Sequence, residues 1–175
     1  VKRRDMTLEP SADAERDHSL ATATDHQTYA QGVMAAFVAQ TTGWANSVAF
    51  LTPDLTQKDL YKEVIGAIGK GATILFAHGF NIHFKQIKPR KDLDVLLIAP
   101  KGPGELVRRE YHQGPGGPCL MAIGQNATGR AKGNALAYAH GIGGTRGGVL
   151  TTTFAEETET DLFGEQVVLC GGATE

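Results

Sequence analysis

At 175 residues, with 41% apolar side chains and a net charge of −2, the chain is sized for one domain, or one domain and part of a second, with enough apolar content for a core. No apolar run approaches the roughly 20 residues that cross a bilayer, no signal-peptide pattern opens the chain, and the charge gives no sign of nucleic-acid binding. Cys119 and Cys170 form no CxxC and read as reduced, buried thiols, which makes the cytoplasm the expected compartment.

Residues 1–31 are polar and mixed in charge, without helical or strand periodicity, and are expected to be loosely organised. A chain that begins at Val1 is expected to be an incomplete or processed product. Val33 to Val38 is short, apolar and of ambiguous type. Ser47 to Leu51 reads as a strand. Thr52 then has the chemistry of an N-cap and Pro53 suits a first helical position. The helix runs to about Ile68, with Leu55, Leu60, Val64, Ile65 and Ile68 as its expected inward stripe, and Gly69-Lys-Gly71 stops it. Thr73 to Ala77 is the next strand and ends in His78-Gly-Phe-Asn81.

Val95 to Pro100 is an unbroken apolar run suited to a strand buried on both faces. Lys101-Gly-Pro-Gly104 breaks it, with Gly102 and Gly104 permitting backbone angles or close approach that a Cβ would forbid. Glu105 to Tyr111 has helical character. Gly114 to Pro118 is a turn, Cys119 to Gly124 a strand, and Ala131 to Ile142 a helix closed by Gly143-Gly144. Val149 to Thr153 reads as a last strand and Glu156 to Leu169 as a last helix. Strands alternating with helices predict an α/β, Rossmann-like fold with a mostly parallel sheet and flanking helices.

Three strand ends carry polar or flexible loops: Thr52-Pro53-Asp54, His78-Gly-Phe-Asn81 and Lys101-Gly-Pro-Gly104. In a parallel sheet these ends share one edge, where open α/β sheets bind ligands. Taken singly, His78 reads as a hydrogen-bonded loop histidine, Lys101 as a solvated lysine and Thr52-Pro53 as a helix start. Convergence is the stronger signal. The last 25 residues hold six acids and no Lys or Arg, which leaves residues 1–150 at +4. Asp161 and Glu165 stand four apart on one helix face, and Glu157 extends the row. Like charges at that spacing cost about 0.2–0.5 kcal/mol a pair. No basic residue lies nearby in sequence, so a divalent cation would relieve them, and carboxylates without Cys or His favour Mg²⁺. Spacing alone favours the plainer reading, a solvated acidic face. No GxGxxG occurs; Gly141-Ile-Gly143 begins one, but Arg146 takes the third position.

Five stretches carry a longer resemblance: WANSVAFLTPD (44–54), FAHGFNIHF (76–84), APKGPGELVRREY (99–111), ALAYAHGIGGTRGGVLTTTF (135–154) and EETETDLFGEQVVLCGG (156–172). From about Gly32 onward the chain resembles ketol-acid reductoisomerase, the acetohydroxy-acid isomeroreductase family of branched-chain amino-acid synthesis, in its short bacterial form. The resemblance implies an NADPH-binding domain over 32–153 and the start of a helical metal-binding domain over 154–175. His78 matches the family's active-site histidine, and Lys101 a lysine near substrate and metals. Thr52, Pro53 and Asp54 match a loop beside the nucleotide, and Gly104 a glycine that contacts it. Asp161 and Glu165 match two Mg²⁺ ligands.

The implied reaction is Mg²⁺-assisted alkyl migration in a 2-aceto-2-hydroxy acid followed by reduction with NADPH. Family sites form between subunits, which implies a homo-oligomer. The chain departs from the pattern by lacking the opening strand and its glycine phosphate loop, by being one residue short between Tyr61 and Gly71, and by stopping at Glu175 before the helical domain. Little or no turnover is therefore expected of the chain alone. The alternative is an α/β module without catalysis that serves in binding or assembly.

Overall fold

A computed structural model describes residue 43 and residues 45–171. The expectations for residues 1–31 and for Val33 to Val38 lie outside the described residues. Among the described residues five strands form one sheet in the order β1-β2-β3-β4-β5. They are β1 Ser47–Phe50, β2 Thr73–Phe76, β3 Asp94–Pro100, β4 Cys119–Gln125 and β5 Val149–Thr151. The helices are α1 Asp54–Val64, α2 Phe80–His83, α3 Gly104–Gln113, α4 Ala131–Gly141, α5 Gly144–Gly147 and α6 Phe154–Gly164, the last running into a π-helical segment, Glu165–Cys170.

Strands β1, β2 and β3 are parallel, with Ser47 opposite Thr73 and Thr73 opposite Asp94. Every residue of β2 is buried, as are the first six of β3, which is why both read as unbroken apolar runs. Strand β4 runs antiparallel to β3, pairing Cys119 with Pro100, and β5 is parallel to β4. This reversal departs from a simple series of right-handed crossovers. A crossover helix must bury one face over the sheet, and α3 buries no residue. The chain instead leaves along α3 and returns to the same edge, where the Lys101 N–H donates to the Pro118 carbonyl at 3.1 Å.

Core packing lies on both faces. Ala131, Ala135 and Ala139 are fully buried at i, i+4 and i+8, so α4 lies close on Leu75, Leu96, Ile98, Cys119 and Met121. Elsewhere Phe50 stacks on Phe76 at 5.3 Å and meets Tyr61 of α1 at 5.9 Å.

Helix α1 corrects three expectations. Its N-cap residue is Pro53, without a side-chain cap from Thr52. Leu55 is 85% exposed, and Gln57, Tyr61 and Val64 form the buried face. It ends at Val64 rather than about Ile68, and the turn that follows is held by Arg90, whose guanidinium donates to the Ile65 and Ile68 carbonyls at 2.8 and 3.0 Å. Arg90 is in turn fixed by Asp92, whose carboxyl the guanidinium holds down at about 2. Other differences are local. Phe80–His83 is a helical turn rather than loop, and Gly141 ends α4 before the short α5. The last helix widens from α to π geometry at Glu165. Cys119 is buried as expected, but Cys170 is exposed. Among the described residues no helix is long and apolar enough to cross a membrane.

Candidate active site

Because β1, β2 and β3 are parallel neighbours, their C-terminal ends deliver Thr52-Pro53-Asp54, His78-Gly79 and Lys101 to one edge of the sheet. Helix α6 returns across this edge. Its start is fixed by Thr153, whose Oγ1 accepts from the Glu156 N–H at 3.0 Å. Two glycines let it come close. A Cβ on Gly79 would clash with Thr158 Oγ1 and stand 2.7 Å from the Phe154 carbonyl; one on Gly124 would stand 2.9 Å from the Phe154 ring. Gly79 has a φ of −82°, so contact distance and not backbone angle makes its missing side chain matter.

This docking places Glu157, 1% exposed, at the centre of a charged cluster. Glu157 Oε2 accepts from the Gly79 N–H at 2.8 Å and lies 3.1 Å from His78 Nδ1. Lys101 Nζ donates to Glu157 Oε1 at 3.1 Å and to Asp161 Oδ1 at 2.8 Å. Asp161 Oδ2 is 3.6 Å from His78 Nδ1. Outside the cluster, His83 Nε2 pairs with Glu159 at 3.1 Å and ties α2 to α6.

Neighbouring charges set the protonation states. The hydrogen bond to Glu157 raises His78 above its ordinary value against the opposing effect of burial. Burial pushes Glu157 up, but hydrogen bonds from His78 and Gly79 and the charges of His78 and Lys101 outweigh it, and its pKa is lowered. Burial pulls Lys101 down, and Asp161 and Glu157 more than restore it. Asp54 is raised, first by burial and then by the nearby charges of Glu157 and Asp161, with His78 opposing.

The two shifts at the buried pair act on stability from opposite sides. A raised imidazole contributes fully below its ordinary value of 6.5 and loses that contribution as pH climbs through its folded value. A lowered carboxylate contributes fully above its ordinary value of 4.5 and loses that as pH falls through its folded value. In the metal-free chain the His78–Glu157 pair is therefore most stabilising between 4.5 and 6.5.

The sequence-selected residues separate into two groups. His78, Lys101 and Asp161 meet in one cluster, and Asp54 lies within its electrostatic reach. Thr52 and Pro53 are exposed on the same edge. Gly104, the first residue of α3, has room for a Cβ, so protein packing does not require glycine there; Gly102, with φ at 156°, is the position where the backbone does. Glu165 is exposed, one α-turn beyond Asp161, with its N–H on the Asp161 carbonyl.

The expectation that no base relieves the acidic row is overturned: Lys101 and His78 reach it from other strand ends. Glu157, which the sequence offers only as an extension of the acidic row, is the buried centre of the cluster. Its signal was the i, i+4, i+8 row, whose innermost member follows buried Phe154 by three residues.

As a place for a metal ion the cluster divides in the same way. Ligand atoms of His78, Glu157 and Asp161 lie within 4.8 Å of one another. Glu157 is enclosed by His78, Gly79 and Lys101, and His78 Nδ1 faces Glu157, so neither that carboxylate nor that nitrogen is free for a cation. Asp161 is one-third exposed and keeps lone pairs beyond the one that accepts from Lys101, and Glu165 is exposed. Two open carboxylates one turn apart suit a hard ion that retains several waters.

A mostly parallel sheet with its strand-end loops gathered on one edge is the architecture of an α/β nucleotide-binding domain. The family model described as "Acetohydroxy acid isomeroreductase, NADPH-binding domain" matches residues 11–148, and the chain belongs to that family. It is 56% identical over 152 residues to a ketol-acid reductoisomerase (NADP(+)) of Xanthomonas campestris pv. campestris (strain B100), covering 86% of this chain and 46% of that protein. The counterpart from Xanthomonas euvesicatoria pv. vesicatoria (strain 85-10) is 55% identical over the same span. Among solved structures, an NADH-preferring ketol-acid reductoisomerase from an uncultured archean aligns with a TM-score of 0.74 and 42% identity, covering 77% of this chain and 41% of that one. The chain thus spans about half the length of the curated relatives it matches.

Proposed function

We propose that the chain carries the nucleotide-side half of a ketol-acid reductoisomerase site, acting on a 2-aceto-2-hydroxy acid such as 2-acetolactate. The single observation that supports this best is the meeting of His78, Lys101, Glu157 and Asp161 at the C-terminal edge of β2 and β3. Thr52, Pro53, Asp54 and Gly104 flank the edge as the cofactor contacts, where NADPH when bound supplies the hydride.

Asp161 and Glu165 are the residues that would hold Mg²⁺, which when bound supplies Lewis-acid polarisation of the substrate oxygens. Lys101 is kept cationic by Asp161 and Glu157, and stands ready to steady developing negative charge on a substrate oxygen. His78 is oriented through Nδ1 by Glu157, which leaves Nε2 as the nitrogen for a proton or a hydrogen bond. The family's sites form between subunits, so a homo-oligomer would complete the ligand set.

A Mg²⁺ titration by calorimetry tests this reading. Asp161→Asn should weaken Mg²⁺ binding by about tenfold or more, because it removes one of two charged ligands. Glu159→Gln, on the same helix but paired with His83, should leave binding unchanged. Equal affinity in Asp161→Asn and the unsubstituted chain contradicts the assigned ligand. Absence of any Mg²⁺ or NADPH binding favours the second reading, a non-catalytic module, for which the internal neutralisation of Glu157 by Lys101 and His78 is the supporting observation.

A further inference from the structure

Two buried amides lie behind the cofactor edge, and no part of the proposed chemistry uses them. Asn81, 1% exposed, sits in α2 three residues after His78; Gln57, 4% exposed, sits in the first turn of α1. Asn81 Nδ2 donates to the Asp54 carbonyl at 2.9 Å and to Gln57 Oε1 at 3.1 Å. Gln57 Nε2 donates to the Thr52 carbonyl at 2.7 Å. The chain of bonds starts on the histidine side and ends on the backbone of the loop after β1. Both terminal acceptors belong to the residues assigned to the nucleotide.

Neither amide is needed for the apolar core. Burying an amide is costly unless its bonds are made; here two of the three end on the carbonyls of Thr52 and Asp54, and the third joins Asn81 to Gln57. Leu51, Thr52 and Pro53 are exposed, and the further bonds to the loop, from the Thr56 N–H and Oγ1 to the Pro53 carbonyl, are local to the start of α1. Helix α2 is joined to the charged cluster through Gly79, which immediately precedes it and donates to Glu157, and to α6 through His83 and Glu159. We propose that Asn81 is a positioning residue that sets the register of the 52–54 loop against His78, so that a nicotinamide nucleotide held by the loop lies at a fixed distance from the charged cluster. This rests on the loop's proposed cofactor role.

Hydrogen–deuterium exchange of the full chain tests it. Asn81→Asp keeps the side-chain volume and removes the donor, and Asn81→Ala removes both. In each, uptake in peptides spanning 51–58 should quicken about tenfold, the loss of one or two local hydrogen bonds, while β2 and β3 peptides keep their protection. Should Asn81→Asp loosen the whole sheet, Gln57→Glu cuts the link from the loop side, and the same contrast between 51–58 and β2 decides. A uniform rise in every variant, or none in any, overturns the proposal.

NADPH titration by fluorescence separates this from the cofactor reading. Selective loosening of 51–58 in a chain that binds no NADPH keeps the positioning role and removes the cofactor role. NADPH binding that no variant weakens, with 51–58 unchanged, removes Asn81 and keeps the cofactor role.

Discussion

Glu157→Ala is expected to lower the unfolding free energy by about 3 kcal/mol, the low end of the range for breaking a buried ion pair from one side. Urea denaturation at a pH between 4.5 and 6.5, where the pair contributes most, measures it. The reason is enclosure. Glu157 receives the Gly79 N–H, His78 and Lys101 and is 1% exposed, so its removal leaves two cations and an amide without their acceptor. His78 can shed its proton and Lys101 keeps Asp161, which is why the loss sits at the low end. Above the folded pKa of His78 the difference between variant and unsubstituted chain should narrow. A loss under about 1 kcal/mol, the net worth of an ordinary hydrogen bond, would mean that Glu157 is solvated.

Gly79→Ala is expected to cost a similar amount, about 3 kcal/mol, at the upper end of ordinary overpacking. The added methyl would meet the Phe154 carbonyl at 2.7 Å and Thr158 Oγ1 closer still. One obstacle is backbone, and Thr158 is fully buried with its hydroxyl donated to Phe154, so neither yields easily. Helix α6 must move away, carrying Glu157 and Asp161 off His78 and Lys101. The same denaturation measures the cost, and weakened Mg²⁺ binding in a variant whose metal ligands are untouched would report the displaced helix. Near-wild-type stability would mean that α6 does not press on Gly79.

Much of this arrangement was legible in the chain itself. The apolar run of β3 predicts a strand buried on both faces, and strand ends in a parallel sheet predict the shared edge of His78 and Lys101. Periodicity was less informative where polar side chains are buried. Gln57 and Tyr61 occupy the inward face of α1 because each has a hydrogen-bond partner inside, whereas Leu55 projects outward. The reversal at β4 depends on α3 burying nothing, which local composition only hints at. The acidic row was judged from neighbours within its own helix, yet its counter-charges arrive from residues 56–79 positions away. Long-range pairing of that kind leaves no periodic trace.

Side chains just past the ends of β2 and β3 meet side chains of α6 in a single coupled charge cluster at the sheet edge. An NMR titration of the His78 ring in the unsubstituted chain and in Glu157→Gln tests it directly. The imidazole pKa should lie above 6.5 in the first and fall in the second. An ordinary value that Glu157→Gln leaves unmoved would contradict the cluster, and with it the site.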